Sequence, residues 1–120
     1  MIKTNIIEPG SIVEFILEDK STLEEVLDII NSQYRNISKG VLWNFNNEGN
    51  LNLSVKDMTL VAQMVKKHAK HKKTAYVGSL DVKFGLLRKY EAYASMQSVP
   101  TVMKVFRDRA ESIIWINELD

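Results

Sequence analysis

The last third of the chain most narrows the folds open to it. From Lys73 to Leu119, a β-rich run (Lys73–Val77) is followed by a Gly-Ser turn and a long apolar helical segment. A second β-rich run (Thr101–Phe106) and a capped helical segment complete it. Such alternation places strands beside one another under crossover helices, because parallel strands need a long return connection. The upstream elements extend the pattern. The reading is α/β: a single-domain sandwich over residues 1–120, with a mixed sheet of about five strands and about four helices.

Upstream, Met1–Ile7 and Ser11–Leu17 read as strands joined through Pro9-Gly10, a hairpin in outline. Ser21-Thr22-Leu23-Glu24 is a capping box, with Ser21 as the cap. Leu23, Val26, Leu27, Ile30 and Tyr34 then fall on one helical face, and the helix is expected to end near Arg35. Gly40–Asn46 reads as a central strand, and Asn46–Asn50 as a loop. Ser54 caps a second helix with Asp57 three residues on, and Met58, Val61, Ala62, Val65 and Ala69 repeat the apolar stripe. Asp108-Arg109-Ala110-Glu111 opens the last helix, where Trp115 reads as a packing anchor.

The third helix, residues 79–96, stands apart. Its apolar residues, Leu80 to Ala94, cover more than half of the helical wheel, where the first two helices show a narrow stripe. A helix lying only on its own sheet needs no such arc. The surplus therefore points to a neighbouring helix, a second subunit, a nonpolar ligand or a membrane. Phe84, Leu87, Tyr90 and Tyr93 are the candidate contacts. Gly85, unfavourable within a helix, marks a close approach or a flexible point. Gly78 and Ser79 are a candidate anion site at the helix N-terminus, set against the plainer reading of a tight turn and an N-cap.

The net charge of +1 conceals an asymmetry: residues 1–60 carry −4 and residues 61–120 carry +5. The basic excess centres on Lys66, Lys67, Lys70, Lys72 and Lys73, where a helix C-terminus favours cations. The same cluster would steer the chain toward an anionic partner such as a membrane surface. Nucleic acid is not expected, because no aromatic residues interleave the lysines. His68 and His71 are spaced for a metal but lack a third ligand, so no metal and no cofactor is expected.

No cysteine, glycine-rich phosphate loop or nucleophile elbow is present, and nothing pairs Asp81 or Glu91 with a second catalytic group. A non-enzyme is expected. The opening residues lack a secretion-signal layout, so a cytoplasmic, bacterial-type protein is expected, at most peripheral to a membrane.

Four stretches carry a family resemblance. They are Val41-Leu42-Trp43-Asn44-Phe45, the run from Thr74 to Asp81, the run from Phe84 to Ala92, and Val105-Phe106-Arg107-Asp108 with Trp115 beyond. In this order and spacing the chain resembles the SpoIIAA-like branch of the STAS fold over roughly residues 40–118. The resemblance implies a regulator or a small-molecule carrier. In the anti-sigma-factor antagonists of that family, a phosphorylated serine opens the helix after a central strand, and Ser54 is its counterpart here. The antagonists carry an Asp-Ser pair at that point, where this chain reads Leu53-Ser54. The related CRAL-TRIO lipid carriers imply the other role.

The expectation is thus a binding domain for a nonpolar small molecule or a membrane, working through the 79–96 helix. The alternative is a protein–protein regulator switched at Ser54. A homodimer would also cover an apolar surplus.

Overall fold

The computed structural model describes residues 1–45 and 50–119. The elements, in order, are strands β1 (Ile2–Glu8) and β2 (Ile12–Leu17), helix α1 (Leu23–Gln33), a 3-10 turn (Tyr34–Asn36) and strand β3 (Gly40–Asn44). Helix α2 (Val55–His68), strand β4 (Lys73–Val77), helix α3 (Asp81–Met96), strand β5 (Val102–Phe106) and helix α4 (Arg109–Asn117) follow. The chain is α/β, with a five-stranded mixed sheet and four α-helices. Of the expected strand end and loop at Asn46–Asn50, residues 46–49 lie outside the described residues.

The strands lie in sequence order, β1-β2-β3-β4-β5. β1 runs antiparallel to β2, and every later pair is parallel. Gly10 makes the β1–β2 turn with φ of +68°, a conformation that a side chain would strain. Each crossover steps one strand in the same direction, so α1, α2 and α3 share one face of the sheet. Val13 and Phe15 of β2, Val41 and Trp43 of β3, and Val105 of β5 pack under them. The alternate residues Ile12, Leu42, Ala75, Val77 and Phe106 form a second core with Ile116 of α4. At Gly40 the approach is so close that a Cβ would collide with Ile116 Cγ2.

The helix starts follow from hydrogen bonding. Ser54 caps α2 as expected: its hydroxyl accepts from Asp57 N–H, while Asp57 accepts from Ser54 N–H. The cap of α1 lies one residue later than expected. Thr22 and Glu25 form the box, because Ser21 is buried and donates its hydroxyl to Met1 O and its amide to Asn50 O. The start of α3 also differs. Leu80 occupies the cap position with no side-chain bond, and the Ser79 carbonyl accepts from the Arg107 guanidinium at 3.3 Å. The Asp108 carboxylate accepts from Glu111 N–H and opens α4.

Candidate functional site

The site is assembled between the sheet and α1–α3. Trp43 points from the central strand toward the helices, and its ring centroid lies 4.9 Å from that of Phe15. Its indole N–H donates to Tyr34 Oη at 2.8 Å, so a buried polar edge is satisfied where α1 gives way to the 3-10 turn. Tyr76 and Met103 come from β4 and β5, and Met58, Ala62 and Val65 from α2. Tyr90 and Tyr93 close the site from α3. Together these groups line a partly enclosed cavity of about 70 Å³.

That volume is several times what one water needs, and on the order of half that of the roughly 150 Å³ apolar cavity that admits benzene. Among the described residues, none that lines it carries a formal charge. Burial pushes the pKa of Tyr34, Tyr76 and Tyr90 up, so these three phenols stay neutral.

The tyrosines from α3 also tie the wall together. Leu53 N–H donates to Tyr90 Oη at 3.0 Å, and Tyr90 Oη donates to Leu51 O at 3.2 Å. Tyr93 Oη and Thr59 Oγ1 are 2.6 Å apart, bridging α3 and α2. At the other end, near the start of β4 and β5, Thr74 and Thr101 contribute hydroxyls. His71 stands behind them in a T-shaped contact with Tyr34. Burial lowers the His71 pKa to about 4, so its ring is neutral at pH 7.

The expected contact residues of α3 divide. Tyr90 and Tyr93 line the cavity, whereas Leu87 is fully buried in the main core. Phe84 is half-buried, with the Arg107 guanidinium 4.2 Å above its ring. Leu80 and Val82 are exposed, and space around Gly85 is open, so no close approach explains that glycine. Gly78 is buried at the end of β4, and its N–H donates to Phe106 O. Ser79 is exposed.

Lys66, Lys67, Lys70 and Lys72 are exposed around the C-terminus of α2. Lys73 is not part of that surface. It is buried, and its ammonium donates to the carbonyls of Trp115 and Glu118, capping α4. Trp115 packs against Phe106 and Lys73, as an anchor should. Among the described residues no cluster of three or more His, Asp or Glu could hold a metal.

Residues that the sequence reading did not single out do much of the building. Glu14 is 1% exposed on the α4 face of the sheet. Its carboxylate accepts from Asn5, Asn44 and both Nε and Nη2 of Arg109, at 2.8–2.9 Å. Burial alone would raise its pKa, but these hydrogen bonds and the guanidinium charge hold it below the usual carboxylate range. Every carboxylate lone pair in use makes this a clamp for α4. A lone acid inside Ile12–Leu17 was the available signal.

A broader groove of about 400 Å³ lies at the opposite face, between Pro100, Val102 and Trp115, with Lys72 and Glu118 beside it. It mixes polar and apolar walls and lacks the aromatic enclosure of the first.

No protein-family model, curated protein or solved structure matches the chain.

Proposed function

We propose that this domain is a non-enzymatic binding module that carries a small nonpolar molecule in the cavity beneath α2 and α3. The cavity itself carries the reading: it is apolar, aromatic-walled and, among the described residues, free of charged lining groups. The SpoIIAA-like resemblance is compatible with a carrier of this kind.

The topology favours a small molecule over a membrane surface as the occupant. Parallel crossovers start each helix at the C-terminal edge of the sheet, so exposed Leu80 and Val82 lie at that edge. The exposed lysines surround the end of α2, at the opposite edge. One flat bilayer does not meet both. Among the described residues, no helix is long and apolar enough to cross a membrane.

Thermal unfolding with small apolar molecules tests the reading. A ligand at one hundred times its dissociation constant stabilises by about 2.7 kcal/mol. Wild type should be stabilised by at least one apolar compound smaller than benzene. Ala62→Met, which fills the cavity from α2, should fold and lose that response. Equal responses from both proteins would place the binding elsewhere, and no response from wild type would refute the carrier.

A second reading rests on Ser54, exposed at the N-cap of α2. A phosphate there would meet a favourable helix N-terminus and also the Asp57 carboxylate that now accepts from Ser54 N–H. A protein–protein regulator of the antagonist type would use this point. Ser54→Asp should then alter partner binding, and unchanged binding would remove this alternative.

A further inference from the structure

At the end of the cavity near the start of β4 and β5, the polar groups form a chain of hydrogen bonds. His71 Nε2 lies 2.8 Å from Thr74 Oγ1, which lies 2.9 Å from Thr101 Oγ1. The three residues are 2%, 2% and 6% exposed. Thr74 and Thr101 line the cavity.

The chain has a direction, set by the histidine tautomer. With the proton on Nδ1, Thr101 donates to Thr74 and Thr74 donates to His71. An N–H at Nδ1 is then buried with no acceptor. With the proton on Nε2, His71 donates to Thr74 and Thr74 donates to Thr101. Nδ1 is then only an acceptor without a donor, which is the milder defect. The Nε2–H form therefore prevails. It leaves the Thr101 hydroxyl proton unspent, because its one hydrogen-bond partner among the described residues, Thr74, is already donating to it. The Tyr76 hydroxyl is nearly as short of an acceptor, reaching among the described residues only Met103 Sδ at 3.7 Å.

We infer that the ligand is a neutral molecule with an apolar body and one hydrogen-bond acceptor, a carbonyl or ether oxygen, seated against the Thr101 hydroxyl. This rests on the carrier reading and adds the chemical class. A charged acceptor is disfavoured, since the cavity offers no countercharge and burying an unpaired charge is costly. The preformed volume suits an acceptor group with a few carbons.

Butanone and 2-methylbut-1-ene differ only by oxygen in place of a terminal CH2, and both are small enough to serve as probes. Binding is read from ¹³C-methyl shifts of Met58 and Met103 in the cavity wall, with exposed Met1 and Met96 as controls. The alkene dehydrates more favourably, so the informative quantity is how Thr101→Val changes each affinity. One neutral hydrogen bond corresponds to a roughly fivefold loss for butanone, with the alkene unchanged or slightly tighter. Thr101→Ser should retain butanone.

Equal effects of Thr101→Val on both probes would overturn the acceptor site and leave the carrier standing. No shift at Met58 or Met103 with either probe would overturn both. If Thr101→Val does not fold, wild type decides alone. Nuclear Overhauser contacts from butanone to the Thr101 methyl are expected. Contacts confined to Phe45 and Leu51, at the far end of the cavity, would refute the assignment.

Discussion

Replacing Arg109 with methionine removes the one cation that faces the buried Glu14 carboxylate among the described residues. Two of the four hydrogen bonds to Glu14 are lost, while those from Asn5 and Asn44 remain. Breaking one side of a buried ion pair costs about 3–5 kcal/mol. The Arg109 side chain is 42% exposed, so water can partly take its place, and the low end of that range applies. About 3 kcal/mol divided by an unfolding entropy of roughly 2.1 cal/mol/K per residue, over 120 residues, lowers Tm by about 12 °C.

The pH dependence gives a second signature. In wild type the depressed Glu14 pKa contributes stability above the ordinary value of 4.5, and this is lost as pH falls through the folded-state value. In Arg109→Met, burial is less opposed and the pKa rises, so protonation relieves the variant. The gap in Tm should be widest near pH 7, narrow as pH falls through the variant's raised Glu14 pKa, and close once pH is below the depressed wild-type value. Calorimetry across that range reads both. The double variant Glu14→Met/Arg109→Met should recover most of the loss, because no buried charge is left unpaired. A Tm drop under about 3 °C for Arg109→Met, with no pH dependence, would mean that Glu14 is already hydrated and the clamp argument is wrong.

His71 should make the fold acid-sensitive. Its folded-state pKa of about 4 lies below the ordinary 6.5, so stability is full above pH 6.5 and declines as pH falls toward 4. By pH 4.5 the loss from this group is on the order of 2–3 kcal/mol by urea unfolding, and His71→Gln should remove that share; equal losses in both proteins would contradict the assignment. Tyr90→Phe takes the partner from Leu53 N–H and Leu51 O. It should cost about 1–2 kcal/mol and speed exchange of the Leu53 amide, whereas unchanged exchange would mean that Tyr90 does not tie down this segment.

The elements were legible where local chemistry decides them. The Ser54–Asp57 box fixed the start of α2, and the β-rich run Lys73–Val77 matched β4 residue for residue. Gly40–Asn46 reads as a central strand in the sequence, and β3 is the third of five strands. Ser21 and Thr22 both begin a Ser/Thr-x-x-Glu pattern, and only the long-range bonds of Ser21 to Met1 and Asn50 choose Thr22. The wide arc of α3 was visible, but a helical wheel reports the width of an arc and not what lies opposite. Leu87 enters the core, Tyr90 and Tyr93 meet a cavity, and Val82 meets solvent.

The site itself was largely hidden, because its walls come from elements far apart in sequence. Thr74 and Thr101 are ordinary strand-end residues until the β4–β5 pairing brings their hydroxyls together. Glu14 and Arg109 stand 95 positions apart, and only the sheet and α4 make them partners.

The carrier requires a dry, accessible apolar cavity between the sheet and the α2–α3 pair. Diffraction from a crystal pressurised with xenon tests it most directly, since xenon occupies apolar cavities without needing a specific ligand. A xenon atom is expected among Trp43, Met58, Tyr76 and Tyr90, displaced in Ala62→Met. Side chains collapsed into that space, with no xenon there under pressure, would contradict it.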